Sequence, residues 1–192
     1  MRLFEMKIHS FNKKFHNDDG AAIVETAFVL PILIMLVALI FEMGMYILLH
    51  SKLTRMAGVI TDAITRQNLT QSALIGLMNT ADNITNPFNF SLNGKMVVSQ
   101  VHNKKQSTKA SDMVIGWQQS KNSGVSLIGS VGTSPQNLPG DITVIQDQSI
   151  VVTEVFYQYS PLIFKNYLPI KSIYKTAVFV PRSGDMNDLL AG

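Results

Sequence analysis

The sequence predicts an α+β fold: a long N-terminal helix that crosses a membrane, continues as an amphipathic helix, and packs on an antiparallel β-sheet. Three observations carry this expectation. Ala21 to Leu49 is apolar almost throughout, with Glu25 and Glu42 as its only charges. From Lys52 to about Gln67, Leu53, Met56, Ala57, Ile60 and Ile64 recur at helical spacing. Beyond Lys95 the chain turns to short segments rich in β-branched residues, with the alternation of half-buried strands. The chain divides accordingly into a leader over 1–20, a transmembrane helix over 21–49, an amphipathic helix and helix/loop region over 50–94, and a β-rich domain over 95–192.

The leader carries Arg2, Lys7, Lys13 and Lys14 against Glu5, Asp18 and Asp19. Basic residues ahead of a span favour a cytoplasmic N-terminus, but Lys52, Arg55 and Arg66 follow the span at similar density, so charge alone leaves orientation open. Phe4, Phe11 and Phe15 among the lysines suit a disordered leader or a short interfacial segment. Asp18 and Asp19 suit the start of a helix, where the macrodipole favours acids.

A bilayer core of about 30 Å needs roughly 20 apolar residues at about 1.5 Å each, and Ala21–Leu49 exceeds this. The run is longer than the apolar region of a secretory signal, about 7–15 residues, and no small-residue cleavage site follows it. Glu25 stands out, because a lipid-facing charge is costly and usually has a partner. Pro31 withholds a backbone donor and is expected to kink or loosen the helix. Glu42 is expected near the far interface, hydrated, with Gly44 permitting close helix approach.

After the long helix, a second helix is expected over Gln71–Asp82, apolar at Leu74, Ile75, Leu77 and Met78. The asparagine-rich stretch from Asn79 to Gly94, with Pro87, reads as loop. Three glycosylation-type triplets begin at Asn68, Asn83 and Asn89 and are assigned no role. Strands are expected at Lys95–His102, Asp112–Gln118, Ser126–Ile128, Ile142–Ile145, Ser149–Tyr159 and Ser172–Val180. In the longest, Val151, Thr153, Val155, Tyr157 and Tyr159 share one face and Glu154 and Gln158 the other, which suits a sheet with one face against the helix. Trp117 is expected in the core or on the sheet surface.

Composition excludes several functions. The chain is 46% hydrophobic and 15% charged with a formal net charge of +3, too small an excess to imply nucleic-acid binding. Without cysteine there is neither a disulfide framework nor a zinc–thiolate site. Lys104, Lys105 and Lys109 read as a solvated loop. His9, His16, His50 and His102 have no metal-ligand spacing, and no nucleophile elbow or phosphate-cradling loop is present. Neither an enzyme nor a bound cofactor or metal is expected.

Gly20 followed by Ala21-Ala22-Ile23-Val24-Glu25 resembles the class III prepilin pattern, a glycine and then an apolar helix with glutamate at its fifth residue. The longer run to Thr26-Ala27-Phe28-Val29-Leu30-Pro31 resembles the TadE/TadF-like pseudopilins of the tight-adherence (Flp-type) pilus system, and the resemblance extends to about Arg66. Thr26 departs from the tyrosine of major Flp pilins and the phenylalanine common in the TadE-like group. The resemblance implies a type IV pilin-like minor pilin in a bacterial inner membrane, single-pass, with a cytoplasmic N-terminus and a periplasmic C-terminal domain. It implies cleavage between Gly20 and Ala21 by a prepilin peptidase. It also implies helix-to-helix packing with other pilins on a pilus assembly platform, with Glu25 of one subunit setting register against the new ammonium of Ala21 on another. The alternative is a membrane-anchored extracytoplasmic binding module whose uncleaved helix is only a tether.

Overall fold

The computed structural model describes residues 18–66, 70–103, 112–144 and 148–182. The readings placed on residues 1–17, among them His9 and His16, and those on Asn68, Lys104, Lys105 and Lys109 lie outside the described residues. The fold is α+β, with a long helix α1 (Asp18–Thr65) followed by a four-stranded antiparallel sheet. The chain divides into two units, Met1–Phe41 and Glu42–Gly192.

In the first unit, residues 20–41 are helical and their side chains are exposed, apart from a half-buried Ala38. The helix runs on through Pro31, whose ring nitrogen has no hydrogen to offer the Ala27 carbonyl one turn earlier. Upstream, the Thr26 hydroxyl donates to the Ala22 carbonyl at 2.8 Å, so this side chain satisfies itself within the helix.

The second unit is built on the sheet. Strands β1 (Gly94–Asn103), β2 (Met113–Lys121), β3 (Gln148–Tyr159) and β4 (Lys171–Phe179) stand in the order β2-β1-β3-β4, every neighbouring pair antiparallel. The apolar stripe expected on the helix is the stripe that is buried: Leu49, Leu53, Met56, Ala57, Ile60 and Ile64 form one core with Met96, Val98, Trp117, Val151, Val155, Tyr157 and Ile173. Burying it removes the apolar faces of helix and sheet from water together, the dominant favourable term in folding. Within that core the hydroxyls of Thr61 and Thr153 meet at 2.7 Å, so neither is left without a partner. Arg182 closes the unit, its amide donating to the Thr65 carbonyl at 2.9 Å.

The opposite face of the sheet is also buried. Val101, Met113, Ile115, Ile150 and Val152 pack under Ile128 and Val144 of the long β2–β3 connection. A bulge makes this possible on β2. Gln100 pairs with Trp117 and Val101 with Ile115, so Gly116 is the extra residue and the alternation reverses there. Trp117 therefore faces the helix while Ile115 faces the loop. A Cβ at Gly116 would lie 2.2 Å from Gln100 Oε1 and 2.9 Å from His102 Nδ1, so a larger residue there would have to displace these side chains. The same connection covers part of the β2 edge, where Ile115 exchanges backbone hydrogen bonds with Gly132 and Thr133 at 2.8 and 3.0 Å.

Four expectations are corrected. Ser126–Ile128 is not a strand. Its donors turn to a side chain, the Ser126 hydroxyl and the Leu127 amide (2.9 Å) both reaching the carboxylate of Glu154. Residues 142–144 pair with no strand. They follow a 3-10 turn over Pro139–Asp141, in which Gly140 has φ +70°, and the Val144 carbonyl accepts from the Asn103 side chain at 3.0 Å. The second helix, α2 (Gln71–Asn79), stops earlier than expected, and its Ile75 is exposed. Finally, the stretch read as loop holds two short helices, α3 (Ala81–Thr85) and α4 (Phe90–Asn93). Polar side chains do the capping: Thr70 accepts the Ala73 amide at 3.3 Å, and Asn89 accepts the Leu92 amide at 3.0 Å. Asp82 joins α3 to α4 by accepting the Ser91 amide at 2.7 Å and the Ser91 hydroxyl. Burial opposes its charge, but these bonds and the nearby Lys121 ammonium hold the Asp82 carboxyl below its ordinary range.

Candidate functional site

Gly20, Ala21, Glu25 and Pro31 all lie on the exposed helical segment of the first unit. A Cβ added at Gly20 would meet no side chain within 4 Å. Glu25 is exposed, and among the described residues it makes no hydrogen bond or ion pair within the chain. From Gly20 to Phe41 it is the only charged side chain. The segment thus presents large apolar side chains all round, at roughly 33 Å for residues 20–41, which is long enough to cross a bilayer core. A helix that is apolar on every side and unburied requires a lipid or protein surround.

The second acid of the apolar run behaves differently from expectation. Glu42 is 5% exposed, not hydrated. Its carboxylate accepts the Tyr159 hydroxyl, the Leu162 amide at 3.0 Å and the Ile163 amide at 2.9 Å. The acid thereby anchors the turn that follows β3. Burial, together with the hydrogen bond to this carboxylate, pushes the Tyr159 phenol above its ordinary range, so it stays a donor. Tyr46 completes the surroundings, its ring centroid 5.3 Å from that of Tyr159 and 4.5 Å from that of His50. Sequence reasoning missed this anchor. The signal available was a glutamate at the end of an apolar run, and its partners lie more than a hundred residues away.

Glu154 is a second buried acid. Fully buried, it accepts from Ser126, Leu127 and the Tyr174 hydroxyl (2.9 Å), and so joins the covering loop to β4. Burial and the Glu154 carboxylate raise the Tyr174 phenol.

Two open depressions in the second unit, about 470 and 630 Å³, are lined by asparagines, aromatic and aliphatic side chains with a lysine each. Among the described residues, no three His, Asp or Glu side chains stand close enough to hold a metal ion.

The family model for TadE-like protein matches residues 20–59. That span takes in the exposed apolar segment, Glu25, Glu42 and the first part of the buried stripe. No curated protein and no solved structure matches the chain.

Proposed function

We propose, from a chain that is TadE-like over residues 20–59, that the protein is a minor pilin of a tight-adherence (Flp-type) pilus. Its role on this reading is structural and not enzymatic. The helix of residues 20–41 spans the inner membrane once, the leader on the cytoplasmic side and the sheet domain on the periplasmic side. A prepilin peptidase removes the leader between Gly20 and Ala21. Glycine suits the residue before the cut because it lets the protease approach the backbone closely.

The new ammonium of Ala21 then meets Glu25 of a neighbouring pilin as the helices pack on the assembly platform. Such a pair is retained for register more than for strength. A carboxylate left unpaired in an apolar bundle is costly, so any stagger that separates it from its partner is disfavoured. Pro31 leaves the Ala27 carbonyl free, so the helix can loosen there as it leaves lipid for a bundle.

The observation that carries this reading is the segment itself: a single acid on an otherwise apolar helix whose side chains are exposed. N-terminal sequencing or intact mass of the membrane-extracted protein tests it. The expected mature chain begins at Ala21. A chain that keeps Met1 overturns the cleavage and makes the helix a permanent tether. Glu25→Ala is expected to insert normally but to impair piliation, whereas wild-type piliation in that variant would refute the register role.

A further inference from the structure

The turn between β3 and β4 carries five large exposed apolar side chains within nine residues: Leu162, Ile163, Tyr167, Leu168 and Ile170. Tyr167 is 85% exposed. Patches of this kind on a soluble surface mark an interaction site. Between Ser160 and Lys171 there is no acid, while Lys165 and Lys171 are both exposed.

The place of this turn is set by Glu42, which holds the amides of Leu162 and Ile163. Glu42 is the residue directly after Phe41, where the uncharged run that began after Glu25 ends. On the reading of residues 20–41 as the span, Glu42 is the first residue beyond it. The turn is hydrogen-bonded to that residue. Part of its backbone is satisfied within the chain. Besides the two amides on Glu42, those of Tyr167 and Leu168 both donate to the Phe164 carbonyl at 2.9 Å. Internal satisfaction of this kind is what apolar surroundings demand of backbone.

We infer that residues 162–170 dip into the outer interface of the same bilayer that the helix spans. The apolar side chains enter the acyl boundary, Tyr167 lies at headgroup level, and Lys165 and Lys171 face anionic headgroups. The protein then holds the membrane at two points, and Glu42 links them. The inference rests on the reading of residues 20–41 as the span.

The chain has no cysteine, so single labels can be placed at will. Full-length Tyr167→Cys, Leu36→Cys and Val125→Cys variants are labelled with an environment-sensitive dye. They are then reconstituted in phosphatidylethanolamine/phosphatidylglycerol vesicles with lipids that carry quenchers at defined depths. Tyr167 is so exposed that its replacement removes no packing. The expected result is a blue-shifted label at 167 quenched by shallow lipids, at about 5–10 Å depth. The label at 36 should be quenched by deep lipids and that at 125 should stay water-like. A water-like label at 167 beside a deep label at 36 overturns the inference and leaves the span intact. A water-like label at 36 overturns the span itself. A label at 167 shielded only when a second copy or another pilin is added makes the turn a protein interface, which also overturns the inference.

Discussion

Replacing Glu42 by alanine removes the acceptor shared by the Tyr159 hydroxyl and the amides of Leu162 and Ile163. A hydrogen bond to a charged acceptor contributes about 1.5–3 kcal/mol, and a buried donor left unpaired costs about 1–3 kcal/mol. The amides belong to a turn whose side chains are largely exposed, so their loss falls at the low end of this range. The loss at the Tyr159 hydroxyl falls higher, because that residue is only 5% exposed and packs against Tyr46. Removing a buried carboxylate also relieves its own desolvation, which offsets part of the loss. The expected net cost is about 2–3 kcal/mol, with Tyr159→Phe costing about 1–2 kcal/mol because the carboxylate keeps both amides. In the double variant the two losses should overlap by about 1–2 kcal/mol, since one bond is counted in both. Urea unfolding of the full chain in detergent measures this through the emission of Trp117, the only tryptophan and a member of the helix-side core. Trypsin at Lys165 should also cut faster in Glu42→Ala, because the turn has lost its anchor. A loss under about 0.5 kcal/mol, or strictly additive variants, would refute the idea that Glu42 holds the turn.

Two further outcomes follow from single residues. At Gly94 a Cβ would come within 2.3 Å of the buried Phe90 ring, which is itself packed near Tyr157, so Gly94→Ala should cost about 1–3 kcal/mol in the same urea assay. Tyr159 has a folded-state pKa raised above its unfolded value. The stability linked to it is therefore fully present below about pH 10 and is lost as pH rises from there towards the folded value. The slope is at most about 1.4 kcal/mol per pH unit, and Tyr159→Phe should flatten the alkaline limb of a stability–pH curve by up to that amount.

Much of the helix could be read in the chain because its evidence is local. An apolar run without partners of its own, and a stripe repeating from Leu53 to Ile64, depend only on the 3.6-residue turn. The strand with Val151, Val155 and Tyr157 on one face was readable for the same reason, and its register against β1 keeps that face on the helix side. The short strand expected at 126–128, and the described part (142–144) of the one expected at 142–145, failed because a few β-branched residues do not say where their amides will go. Asn79–Gly94 failed in the opposite sense, since residues that break helices in their middles also cap their ends.

The first link in the proposed assembly site, Gly20 to Glu25, needs no tertiary contact and was visible at once. Glu42 needed the fold. Chain order places it at the end of a greasy segment, where water is the simplest partner, and only the closure of the sheet brings Tyr159 and the turn after it to the carboxylate. The second buried face of the sheet has the same origin. Whether the far side of a strand is wet or dry depends on whether a distant loop folds across it, and here Gly116 and the β2–β3 connection decide that it is dry. Periodicity reports what a segment can bury; which partner buries it is decided when residues far apart in the chain meet in space.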